Sequence, residues 1–341
     1  LLNSCGRGEK PVQDSSLAVL AQHAEDYTQA RPGQPLVFPR DHGPHPGYRI
    51  EWWYLTTNLN DAKGRAYGGQ WTLFRFAVRP PGEREPADAW QNDQVFMAHF
   101  AITTPDDHVS FQRYSRSRQD QEMSRAGVTA EPFSAWLDDW VLQSTRSDWL
   151  PLEVKARQGE YALQLKLRSS SPLVLQGEAG FSKKHSNGGG SFYYSQPFLK
   201  ASGELLINGQ KVPVTGEAWL DREWSSQFLQ GGQVGWDWFS LHLDSGEKLM
   251  LFQLRQGPGE NQGENYLHGM LMAPDGSTTA LESGRIKLKV VQKTDVAGRD
   301  LPLHWQIDLP QIKRQLDIRP LHPEQWLDVD FPYWEGAIIV A

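Results

Sequence analysis

Trp219, Asp221 and Glu223 alternate within Trp219-Leu220-Asp221-Arg222-Glu223-Trp224. On an extended strand the indole and both carboxyl groups share one face, with neighbours about 7 Å apart. A second acid raises the pKa of the first, and an apolar wall raises it further. One carboxyl can then stay protonated near neutral pH and serve as a general acid. The same spacing also suits a salt-bridged strand end, with Arg222 or Arg75 supplying the counter-charge. Asp237 alternates with Phe239, Leu241 and Leu243 and so points toward an apolar face, where an acid must be hydrogen-bonded, neutral or functional.

Glu51 and Trp53 share one strand face, Trp52 and Tyr54 the other. Aromatic strands of this kind build cores. A barrel interior lined by such Trp and Tyr side chains, with Gln70, His99 and a few acids, also suits an extended apolar ligand. Asp41-His42-Gly43-Pro44-His45 holds two histidines but no clear third metal ligand, and reads as a packed turn. Lys183-Lys184-His185-Ser186-Asn187-Gly188-Gly189-Gly190 lacks the Gly-Lys-Ser/Thr of a phosphate loop and reads as a surface loop. No Gly-x-Ser-x-Gly elbow, His-Glu-x-x-His helix, cysteine pair or dinucleotide fingerprint occurs, so no cofactor or metal is expected.

The elements that must position these residues are strands. From Leu36 onward, short runs such as Phe96-Ala98-Phe100-Ile102 and Tyr161-Leu163-Leu165-Leu167 alternate with period two. Turns such as Asn208-Gly209 and Asp275-Gly276 break them into antiparallel hairpins. No amphipathic helix interrupts the pattern after residue 36. An internal repeat organises it: Trp52-Trp53-Tyr54 with Leu59, Gly64 and Phe74 returns as Trp236-Asp237-Trp238 with Leu243, Gly246 and Phe252. Each copy is followed by a histidine strand ending in Pro-Asp, at His99 and at His268. Two related antiparallel units follow, residues 36–224 and 225–341. Matching Gly336-Ala337-Ile338-Ile339 to Gly203-Glu204-Leu205-Leu206 leaves the second unit without a final strand. A barrel left so carries an open edge.

Composition agrees. The 341 residues include 14 Trp, 14 Phe and 10 Tyr, with 31 Gly and 22 Pro spread along the chain, which favours strands and turns. A net charge of −7 without a long basic run gives no footprint for nucleic acid. No apolar stretch is long enough to cross a membrane as a helix. The only cysteine closes Leu2-Asn3-Ser4-Cys5, which resembles a bacterial lipobox, and residues 1–35 then read as processed terminus and polar tether. Cys5 would be the lipidated residue of a membrane anchor.

Taken together, Asp41-His42-Gly43, Arg49-x-Glu51-Trp52-Trp53-Tyr54, Gly69-Gln70, Phe74-Arg75, Ala98-His99, Tyr193-Tyr194-Ser195-x-Pro197 and Gly216-x-Ala218-Trp219-Leu220-Asp221-x-Glu223-Trp224 resemble the AttH-like family of predicted secreted hydrolases. That family includes carotenoid 1,2-hydratases. The resemblance implies an all-β fold of two tandem lipocalin-like (calycin) barrels. It also implies export to the periplasmic side of the bacterial envelope and association with an ABC-type export system. In the hydratases an aspartate matching Asp221 protonates an isoprenoid double bond. Arg222 stands here where secreted members commonly carry histidine. The expected enzyme acts on a hydrophobic small molecule, with Asp221 as acid and Glu223 assisting. Trp219, Trp53 and Tyr194 would face the cationic intermediate, and Tyr54, Gln70, His99 and Asp237 would line the pocket. The alternative is a non-catalytic lipocalin-like carrier of an apolar ligand.

Overall fold

The computed structural model describes residues 24–80, 93–117, 124–184, 188–227, 232–257, 264–330 and 332–341. Cys5, most of the tether and His185 lie outside the described residues. Among the described residues there are strands and short 3-10 turns but no α-helix.

The first strands are β1 (Ile50–Asn60), β2 (Ala66–Ala77), β3 (Gln94–Thr103) and β4 (His108–Ser117). Seven shorter ones follow, β5 to β11: Ala126–Ala130, Phe133–Leu137, Trp140–Ser144, Leu152–Gln158, Tyr161–Arg168, Val174–Leu175 and Phe181–Lys183. The long hairpin β12 (Gly190–Ile207) and β13 (Gln210–Ser225) closes this set. Its two-residue loop is Asn208-Gly209 with φ of 51° and 73°, a conformation that asparagine and glycine tolerate and that matches the twist of a hairpin. The sheet order β4-β3-β2-β1-β13-β12-β9-β8-β7-β6-β5 is antiparallel throughout, and β4 meets β5 at the seam of a nearly closed barrel.

The second half contains β14 (Gln233–His242), β15 (Lys248–Gln256), β16 (Tyr266–Met272) and β17 (Thr278–Leu281) as one sheet. β18 (Lys287–Val296), β19 (Arg299–Leu309) and β20 (Arg314–Pro320) form another sheet, joined past the short pair β21 (Trp326–Leu327) and β22 (Tyr333–Trp334) by β23 (Ile338–Val340). Strand pairing puts the two meanders in register. Tyr54, Thr72 and His99 form one cross-strand row, and Trp238, Phe252 and His268 form its counterpart. Trp52 thus corresponds to Trp236 and His99 to His268. The residue matching Phe74 is Leu254 rather than Phe252, because the second hairpin is shorter. Between β14 and β23 lies an open crevice of about 260 Å³, lined by Ser240, Leu241, His242 and Ala337 to Val340.

Alternation assigns the faces. Trp53, Leu55, Trp71, Leu73, Phe100 and Trp140 point into the first barrel and fill it, all fully buried. Each contributes about 1.5–3 kcal/mol by leaving water. Phe239, Leu251, Trp305 and Ile307 do the same in the second unit. The outer face of the first sheet packs on the second unit through Val174, Tyr193 and Trp219 of β10, β12 and β13 against Met250, Phe252, Met270 and Met272.

One end of the first barrel is closed by the Asp41 to His45 turn. Glu51, on the interior face, pairs with both Arg75 and Arg222, and all three side chains are fully buried. His45 adds its backbone N–H and ring to Glu51, and stacks on Trp224 at 4.0 Å. The Arg222 guanidinium lies 3.9 Å over the Trp53 ring. His42 binds the Tyr194 hydroxyl at 2.7 Å and stacks on Trp149. The two histidines of this turn hold a plug, and among the described residues no cluster has metal-ligand geometry.

Candidate functional site

Trp219, Asp221 and Glu223 project from β13 on the outer face of the first barrel, toward the second unit. Tyr54 of β1 stands directly opposite Asp221 in the ladder, and Ser195 of β12 stands opposite on the other side. The Ser195 hydroxyl donates to Asp221 Oδ1 at 2.5 Å, and the Trp219 indole N–H donates to the same oxygen at 2.7 Å. Gln176 holds Ser195 from behind at 2.8 Å. The Tyr193 hydroxyl is near enough to favour the charged form, though it makes no well-formed hydrogen bond. Burial outweighs these donors and pushes the Asp221 carboxyl up to about 7. The hydrogen bonds from Ser195 and Trp219 are both accepted by Oδ1.

Glu223 is set differently: Lys184 pairs with it at 2.9 Å and the Ser191 hydroxyl donates to it at 2.5 Å. Of the two acids, only Glu223 is salt-bridged, and its partner is Lys184 rather than Arg222 or Arg75. Arg222 and Arg75 turn to the opposite face and pair with Glu51.

Across the cleft the second unit contributes Trp238, whose ring meets Tyr54 edge-on at 5.4 Å and Trp219 at 6.5 Å. It also contributes Glu335, from the segment after β22. The Tyr54 hydroxyl donates to Glu335 Oε1 at 2.5 Å. Tyr333 reaches the same carboxyl, and its hydroxyl is held by His99 at 2.7 Å and by Gln70 at 3.2 Å. Burial raises Glu335 to about 8; Tyr54, Tyr333, Glu335 and Trp238 each keep part of their surface exposed. Gln70 Oε1, His99 Nε2, Tyr193 Oη and His268 Nε2 are buried without a protein partner. Such atoms mark places for an ordered water or a ligand polar group.

The structure thus brings together Asp221, Trp219, Tyr54, Gln70 and His99, with Glu223 beside them. They lie on the outer face of the first sheet, where it packs against the second unit, rather than inside the first barrel. Trp53 and Tyr194 are not among them. They lie on the interior face, fully buried, with Trp53 Nε1 donating to the His42 carbonyl. Asp237 also stands apart, paired with Arg255 at 2.6 Å and Gln253 at 3.1 Å. Glu335 and Tyr333 belong to no sequence motif; Ser195 and Trp238 stand in a motif and in the repeat, respectively, without being assigned to the site there.

These shifts set a pH dependence. Burial lowers His42 to about 3 and His99, His108 and His268 to about 4, from 6.5. Below pH 6.5 the unfolded chain takes up protons that these folded histidines refuse, so stability is lost as pH falls toward 4. Asp221 and Glu335 act in the opposite sense. Their contribution is full below the ordinary carboxyl range and is lost as pH rises through about 7 and 8. Thermal melts from pH 4 to 9 are expected to peak between about pH 6 and 7. Asp221→Asn should flatten the alkaline fall, with a gain of about 2–4 kcal/mol at pH 8. An unchanged alkaline limb would show that Asp221 is ionised in the folded protein.

The family model described as AttH-like matches residues 29–341. The crystal structure of an AttH protein from Nitrosomonas europaea is similar at 32% identity and a TM-score of 0.78, covering 92% of this chain and 94% of that one. Kievitone hydratase from Nectria haematococca shares the fold at 14% identity and a TM-score of 0.66, over 92% of this chain and 90% of its own. CghA, solved with Sch210972, shares it at 13% identity and a TM-score of 0.53, over 86% and 82%. No curated protein matches.

Proposed function

The chain belongs to the AttH-like family, and from that premise we propose that it adds water to an unsaturated, hydrophobic small molecule by acid catalysis in the cleft between its two units. One observation carries the reading: Asp221 is a buried carboxyl that no cation neutralises, held protonated to about neutral pH beside three aromatic rings. Such a group can give its proton to a carbon–carbon double bond. Trp219, Trp238 and Tyr54 can then offset the positive charge, each ring by about 1–2 kcal/mol when desolvated. Kievitone hydratase shares the fold, which makes hydration the nearest chemistry for comparison. The carrier alternative asks for a long apolar cavity, whereas the first barrel is filled by its own side chains.

A phenol bearing a 3-methylbut-2-enyl group is a suitable probe. Incubation should give a product heavier by one water, seen by mass spectrometry. Binding without conversion would favour the carrier.

Cys5 is proposed as a lipid anchor that holds the protein on the periplasmic side of the envelope, where an ABC-type export system would be its partner. The Leu2-Asn3-Ser4-Cys5 run and the polar stretch after it support this. Cys5→Ala in a full-length precursor should move the protein from the membrane to the soluble fraction; unchanged fractionation would refute the anchor.

A further inference from the structure

The acids buried or half-buried among the described residues of the two units' contact and of the barrel end divide into two groups. Glu51 pairs with Arg75 and Arg222, Asp41 with Arg40 and His45, Glu217 with Lys200, Lys248 and His242, Glu223 with Lys184, and Asp237 with Arg255. Asp221 and Glu335 instead meet only neutral donors. They come from different units, yet both flank Tyr54: its hydroxyl donates to Glu335, and its strand position faces Asp221. The charges of both carboxylates act on that hydroxyl. Glu335 is fixed further by Tyr333, which His99 and Gln70 anchor to the first unit.

We propose that Glu335 is the second acid–base group of the cleft, taking the proton of the attacking water while Asp221 delivers a proton to carbon. This rests on the hydration reading above and adds a residue to it. The step balances. The Asp221 O–H bond breaks as the alkene π pair forms a C–H bond, leaving a carbocation and an Asp221 carboxylate. A water lone pair forms the C–O bond, and the water proton passes to the Glu335 carboxylate. That proton returns to Asp221 through the Tyr54 hydroxyl or solvent, so the sum is alkene plus water to alcohol. The productive state has the proton on Asp221 and a charged Glu335; because burial raises Glu335 further than Asp221, it is the minor of the two one-proton states. The phenolic O–H groups of Tyr54 and Tyr333 aim at Glu335 and favour the negative charge there. His99 and Gln70, which hold the Tyr333 hydroxyl, each keep a buried polar atom without a protein partner, Nε2 and Oε1.

The test uses the whole chain and the prenylated phenol in two solvents. In H₂¹⁸O the alcohol is measured; in D₂O the recovered alkene is examined for deuterium, which reports protonation and its reversal. Wild type should do both. Glu335→Gln should retain deuterium uptake within about threefold and lose labelled alcohol by about 100-fold, since a general base contributes roughly that much. Its kcat/KM profile should also lose one of two pH limbs. Glu335→Asp keeps the carboxylate and should restore alcohol to within about tenfold of wild type, which separates chemistry from misfolding. Alcohol formation by Glu335→Gln at the wild-type rate, or no rescue by aspartate, overturns the role of Glu335 and leaves Asp221 standing. Deuterium uptake that survives Asp221→Asn overturns the hydration reading itself, and so does a wild type that binds the probe without either reaction.

Discussion

Asp221→Asn is expected to lower turnover of a hydrated substrate by about 100-fold or more while changing its affinity by less than about threefold. The amide oxygen can still accept from Ser195 and Trp219, so the local hydrogen bonds and the shape of the cleft floor persist. What is lost is the acidic O–H. An amide N–H holds its proton too tightly to deliver it to carbon. Were Asp221 a brace for a cation, the same change would lower stability by roughly 1–3 kcal/mol. The carboxyl has no cation beside it, so the variant should melt at or above the wild-type temperature at pH 8. Steady-state kinetics with a paired thermal melt reads both quantities. A raised KM with unchanged kcat would remove Asp221 from the chemistry.

The largest stability effect is expected at Glu51. Arg75 and Arg222 are wholly buried and share this one carboxylate. Glu51→Ala would leave two guanidinium groups facing each other without a counter-charge, at a cost of about 3–5 kcal/mol. The plug built on His42 and His45 should loosen with it, because the His45 backbone N–H donates to Glu51 and the Arg75 guanidinium donates to the His45 carbonyl. Urea unfolding should show a midpoint shifted strongly downward with little change in slope. A shift below about 1 kcal/mol would mean that water enters this end of the barrel and shields the arginines.

Much of this architecture was legible in the sequence, for a definite reason. Period-two alternation states which residues share a face, and the repeat states which strands are equivalent. Trp219, Asp221 and Glu223 do share a face, and Trp52 and Trp236 do occupy matching ladder positions. Alternation does not state which face is inside. Both faces of β1 and β13 carry aromatic and charged side chains, so Trp53 and Tyr194 were as plausible beside Asp221 as Tyr54 and His99. Glu335 gave a weaker signal still. It lies more than a hundred residues from Asp221, in a segment joined to no long strand, and tertiary packing alone sets it beside Tyr54. An acid two residues after a tyrosine, in Tyr333-Trp334-Glu335, was the only local hint.

The cleft is walled by two copies of one meander, but the copies have diverged. The row Tyr54, Thr72, His99 faces it from one side and the row Trp238, Phe252, His268 from the other. The first row carries hydroxyls and leads to both carboxyl groups; the second offers mainly hydrocarbon. A planar double bond lying between them has its two faces in unlike surroundings, with proton and water arriving from the hydroxylated wall and ring faces shielding the other. If hydration takes place between these unlike walls, a prochiral carbon held there is expected to be attacked from one face, which chiral analysis of the product would read.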